Sequence, residues 1–176
     1  NLNAAIAEAQ LVPRFNPRYQ EAQGKIQDWT RQIQTTEDRP ILNRATELAR
    51  LENVDAWQQA IAQASLINPN RALYREAQNQ IGKWRSNIEQ EEDRPFLDQA
   101  VALANGGNFA AAIETAQQIR QGRVLYSEAR TNIRHWRREI RAKANLQQAY
   151  QIAEARTPQA LAEAISIARR IPSSTE

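Results

Sequence analysis

Six arginines fall on one side of a single helical segment. Projected at about 100° per residue from Tyr126, Arg123, Arg130, Arg134, Arg137, Arg138 and Arg141 lie between roughly 20° and 120°. The apolar residues of the same segment, Tyr126, Ala129, Ile133, Trp136 and Ile140, lie between roughly 280° and 360°. The arginines therefore form a strip about 27 Å long beside the apolar face. Guanidinium groups are planar forks matched to carboxylate and phosphate, so such a strip would face an anion: nucleic acid, anionic lipid or an acidic protein. The alternative is structural. The arginines would then pair with Glu89, Glu91, Glu92 and Asp93, or stand solvated. The aromatic residues do not interleave with the arginines, as a platform for single-stranded nucleic acid requires.

Other chemistry has little to work with. The chain has one histidine, His135, and no cysteine. It has no glycine-rich phosphate loop and no metal-ligand spacing. His135 sits about half a turn from the Tyr126–Trp136 face and is expected at the surface. The carboxylates at Glu37-Asp38 and along residues 89–93 are expected at helix junctions. There they would suit the positive end of a following helix; one acidic run supplies too few converging oxygens for a hard cation. No catalytic residue, metal or cofactor is expected, nor a small-molecule substrate. The net charge of +3 is too small to name a partner. No apolar run approaches the roughly 20 residues of a membrane-spanning helix.

The elements that must carry these side chains follow from a recurring pattern. Tyr19/Ala22/Ile26/Trp29/Ile33, Tyr74/Ala77/Ile81/Trp84/Ile88 and Tyr126/Ala129/Ile133/Trp136/Ile140 share the steps +3, +4, +3, +4, and lie 55 and then 52 residues apart. That spacing puts all five residues on one helix face. Trp29, Trp84 and Trp136 are accordingly expected in the core, not as stacking platforms. Two further motifs follow each copy. The first is Leu42/Ala45/Leu48/Ala49, Leu97/Ala100/Leu103/Ala104 and Leu146/Ala149/Ile152/Ala153; the second is Ala60/Ile61/Ala64/Ile67, Ala112/Ile113/Ala116/Ile119 and Ala164/Ile165/Ala168/Ile171. Ala5/Ile6/Ala9/Val12 is an additional copy of the second. Trp57 has no Trp counterpart and is expected to staple its helix or to be partly exposed, like Phe15.

Asp55, Asn108 and Thr157 are suited to cap the helices that follow them. Pro40 and Pro95, each preceded by Glu-Asp-Arg, are expected to kink a continuing helix. The third copy lacks this proline and is three residues shorter, which predicts one helix from about 125 to 156. The whole reads as all-α, with nine or ten helical segments. Three tandem units (about 14–68, 69–120 and 121–172) would form a solenoid-like array with antiparallel neighbours. Residues 1–176 are taken as one repeat domain and, starting inside a repeat and without Met, as a fragment of a longer protein.

The second and third helices of each unit resemble a tetratricopeptide-type helix pair. Ala100 precedes Ala112 by 12 residues, and Ala116 and Ile119 follow, a small–small–large pattern; residues 1–12 followed by Pro17 resemble the second half of the motif. The period departs from the family's 34 or so residues. Ala9, Ala64, Ala116 and Ala168 also stand where the family carries a large aromatic. The resemblance implies an α-solenoid that displays surfaces to protein partners. The expected function is a non-enzymatic module for protein–protein interaction or scaffolding. The alternatives are an anion-binding module for nucleic acid or an anionic membrane surface, acting through the arginine strip, and a structural spacer in a larger membrane or envelope protein.

Overall fold

The structure, a computed structural model, describes residues 1–171. It is all-helical: α1 (Leu2–Gln10), α2 (Tyr19–Ala49), α3 (Val54–Ala64), α4 (Tyr74–Asn105), α5 (Phe109–Ala116), α6 (Tyr126–Ala153) and α7 (Pro158–Ala168). Among the described residues there is no strand, and the helices number seven instead of nine or ten. Pro172, the last residue of the third expected unit, lies outside the described residues.

The lower number has one cause. Pro40 and Pro95 lie inside α2 and α4, and neither ends its helix. An internal proline removes one backbone hydrogen bond and crowds the preceding turn, at about 3 kcal/mol. Here the chain is anchored on both sides of the ring. Asp38 and Asp93, two residues before each proline, are buried, and so are Leu42 and Leu97, two residues after. Tertiary contacts thus hold the helix through a residue that would break it in isolation. Where the proline is missing, α6 runs uninterrupted, as its sequence predicts.

The chain forms two compact units, residues 1–89 and 90–176, whose boundary falls within α4. In the first, the second half of α2 and the whole of α3 pack against the first half of α4. Leu42, Ala45, Ala60, Ala64, Ala77, Ile81 and Trp84 share one core. In the second, Leu97, Ala100, Ala112, Ala116, Ala129, Ile133 and Trp136 form the corresponding core, from α4, α5 and α6. The alanines allow backbones to approach closely, and the indole of Trp84 or Trp136 closes the gap that remains. A smaller cluster, Ala149, Ala164 and Ile167, joins α6 to α7.

Trp84 and Trp136 are buried, whereas Trp29 is half-buried. The cores around the two buried residues include the second half of a preceding long helix; Trp29 is preceded in sequence by α1 alone. Trp57 is buried in the first core with residues of α2, which rules out partial exposure, while Phe15 stands in solvent.

The turns before α3, α5 and α7 share one device. Glu52, Gly107 and Arg156 adopt positive φ, and the next residue caps the helix. The side chains of Asn53, Asn108 and Thr157 accept from the backbone N–H of Ala56, Ala111 and Ala160 at 2.9, 3.2 and 3.1 Å. The cap of α3 is therefore Asn53. Asp55 falls in the first turn, where its charge meets the helix dipole instead. Gly107, at φ 79°, has open space where a Cβ would stand, so its replacement tests backbone strain alone. Gly107→Ala is expected to lower stability by about 1 kcal/mol. Gly106→Ala, with ordinary φ and its nearest atoms at 3.5 and 3.7 Å, is expected to be neutral or slightly stabilising. Chemical denaturation of the two variants side by side checks the contrast.

Candidate binding surface on helix α6

Helix α6 presents two faces. Ala129, Ile133 and Trp136 are buried on one. On the other, Arg130, Arg134, Arg137, Arg138 and Arg141 are all exposed. Among the described residues none of these five forms an ion pair. Arg134 donates from Nη2 to Thr131 Oγ1 at 3.0 Å, and the Arg130 guanidinium lies 5.9 Å from the centre of the Tyr126 ring. His135 is exposed on the same helix.

Arg123 does not belong to this strip. Residues 123–125 are bend and turn and α6 begins at Tyr126, so the helical projection does not reach residue 123. The side chain instead bridges to α4. Its Nε donates to Asp93 Oδ2 at 2.8 Å, and its Nη2 donates to Asp93 Oδ1 at 3.0 Å and Glu92 Oε2 at 2.8 Å. The strip on α6 thus runs from Arg130 to Arg141, about 17 Å at 1.5 Å per residue.

The first unit contains the same arrangement. Arg71 donates from Nε to Asp38 Oδ2 at 2.8 Å, and from Nη2 to Asp38 Oδ1 at 2.8 Å and Glu37 Oε2 at 2.7 Å. One turn earlier on α2, Gln34 Oε1 accepts from the Ala72 N–H at 3.0 Å, so the loop is tied at two successive levels. The carboxylates Glu37, Asp38, Glu92 and Asp93 therefore sit in mid-helix, not at helix starts, and their task is to hold the loop that follows α3 or α5. Hydrogen bonds to Asp38 and then Glu37 push the Arg71 pKa above the ordinary arginine value; Asp93 and then Glu92 do the same for Arg123. The sequence carried a signal for this clamp. Arginine stands three residues before Tyr in the two copies whose preceding long helix contains Glu-Asp-Arg-Pro.

At the N-terminal end of the strip an open pocket of about 280 Å³ lies between α5 and α6. Buried Ala116, Ile119, Ala129 and Ile133 form its floor, and Tyr126, Arg120 and Arg130 its rim. The arrangement offers guanidinium donors to an anion over an apolar floor. Among the described residues no three His, Cys, Asp or Glu side chains gather as metal ligands would. No helix among the described residues is long and apolar enough to cross a membrane.

The unpaired strip leads to a direct expectation. Arg134, Arg138 and Arg141 all replaced by Gln should leave stability within about 0.5 kcal/mol of the parent, as surface changes do. A melting temperature lowered by many degrees would place these arginines in structural pairs. Comparison with family models, curated proteins and solved structures finds no match to this chain.

Proposed function

We propose that this chain is a non-enzymatic helical-repeat module that mediates protein–protein association or scaffolding, in a solenoid-like array. The observation that carries the reading is a division of labour among side chains. Most of the buried positions recur in sequence, such as Ala45 and Ala100, Ala60 and Ala112, or Trp84 and Trp136. The residues between them differ from copy to copy and leave large apolar groups in solvent, among them Leu66, Phe96 and Tyr150. Packing is thereby decoupled from recognition, as in stacked helix pairs that carry variable binding faces. Immobilised chain should retain a stoichiometric protein partner from an extract of its source. Retention of none would favour the spacer reading.

A second reading, binding of an anionic polymer or surface along α6, is favoured by the five exposed arginines without ion pairs. Binding to RNA, DNA or anionic vesicles should then weaken steeply with salt, because released counterions drive it. The Arg134/Arg138/Arg141→Gln variant should abolish it. Binding that is weak at low salt and indifferent to the variant would remove this reading.

A further inference from the structure

The pocket between α5 and α6 carries charge that the matching positions of the first unit lack. Its walls are the end of α5, the loop that follows and the first turns of α6, all within one compact unit. Two of its exposed residues are Arg120 and Arg130. Counted from Tyr74 as these are from Tyr126, the first unit has Asn68 and Gln78 there, also exposed. The floor does not change. Ile119 and Ile133 match Ile67 and Ile81, and all four are buried. The packing is shared by both units, and the second alone sets guanidinium groups around it. Among the described residues neither Arg120 nor Arg130 forms an ion pair.

Arg130 belongs to the pocket and to the arginine strip. It projects at roughly 40° from Tyr126, between the pocket residues Ala129 and Ile133 at roughly 300° and 340° and Arg134 at roughly 80°. The pocket therefore adjoins the strip. Glu128 and Glu139, the two carboxylates of α6, project at roughly 200° and 220°, away from both.

Size and polarity limit the occupant. A volume of about 280 Å³ falls just below the span of small-molecule sites, about 300–1,000 Å³. That is room for one large side chain. The apolar floor leaves a phosphate without a hydrogen-bond partner and favours a hydrocarbon or aromatic group. One face of the Tyr126 ring is already covered by the Arg130 guanidinium, 5.9 Å from its centre, so a stacked base would compete with it. From the pocket the strip continues for about 17 Å, the reach of about five extended residues.

We propose that this surface binds an acidic segment of a protein partner, with one large apolar side chain in the pocket and carboxylates on Arg120, Arg130 and the strip from Arg134 to Arg141. The proposal rests on the interaction-module reading and names its site and the chemistry of its partner. Charge complementarity selects the segment, because the arginine fork matches a carboxylate bidentately. The apolar anchor adds a desolvated contact that a plain polyanion lacks.

Calorimetric titration of the full chain tests this. The probes are unlabelled heptapeptides of six Glu and one Phe, with Phe at each position in turn; all-Glu and Phe-in-Ser heptapeptides are the controls. At least one acidic Phe peptide should bind about tenfold or more tightly than either control. Arg120→Asn/Arg130→Gln installs the residues of the first unit, so helix content and melting temperature should stay at the parent values while that peptide's affinity falls about tenfold or more. The Arg134/Arg138/Arg141→Gln variant should weaken the same peptide. All-Glu peptide bound as tightly as every Phe peptide would overturn the proposal and leave the strip alone as an anion site. RNA or anionic vesicles bound where no peptide binds would overturn it too. A chain that binds none of the peptides, yet retains a protein partner equally well with Arg120→Asn/Arg130→Gln, ends this proposal and leaves the interaction reading standing. A chain that retains no protein either ends both.

Discussion

Trp84→Ala is expected to lower the stability of the chain by about 3–5 kcal/mol, the cost of deleting a large buried aromatic. The indole is 6% exposed and lies in one core with residues of α2 and α3. A side chain of this size buries roughly 200 Å², worth about 5 kcal/mol at about 25 cal/mol per Å². The alanines around it make collapse into the cavity difficult, because Ala45, Ala60, Ala64 and Ala77 have no longer side chains to swing inward. At about 2–4 °C per kcal/mol for a chain of this size, the melting temperature should fall by about 10 °C. Trp29→Ala should cost about 1–2 kcal/mol, because Trp29 is half-buried and part of its loss is already exposed to water. Urea denaturation of both variants measures the contrast. Equal losses at the two sites, or a loss below about 1 kcal/mol at Trp84, would show that the indole does not close the core.

That contrast also marks what was legible in the sequence. The steps +3 and +4 from Tyr74 to Ile88 put the helix, its buried face and the role of Trp84 within reach of periodicity alone. The uninterrupted α6 followed from a missing proline. What was not legible depends on atoms distant in sequence. A proline is read by its neighbours as a break, and nothing local in Glu-Asp-Arg-Pro shows that Asp38 will be buried under Arg71, 33 residues away. Angular projection of the arginines needs helix as far as Arg123, and α6 begins only at Tyr126. Asn53 and Asp55 are both good caps. The choice is made by Glu52, which takes a left-handed conformation that its side chain does not advertise. The five arginines on α6 were found because they obey helix geometry. Their lack of ion pairs could be learned from the fold alone, since Glu92 and Asp93 were equally available on paper.

Arg123→Met is expected to be the other severe change, costing about 3 kcal/mol. Asp93 is 6% exposed and takes two hydrogen bonds from Arg123. Removing the guanidinium leaves a carboxylate in the interior without its counter-charge, which is the costly way to break a buried pair. The value belongs at the lower end of the usual range because the arginine side chain itself retains some solvent contact. Asp93→Leu should cost less. Arg123 keeps Glu92 and can lean outward, so no charge is stranded. The double variant Arg123→Met/Asp93→Leu should recover most of what Arg123→Met loses, as buried pairs replaced by apolar groups of similar volume commonly do. A coupling of about 2 kcal/mol in the double-mutant cycle is therefore expected, and simple additivity would show that the two residues do not act as a pair. The pKa of Arg123 is raised, so its share of the stability is fully present below the ordinary arginine value and is lost only as pH rises beyond it. Across the neutral range the loop after α5, and with it the start of α6, stays fastened to α4.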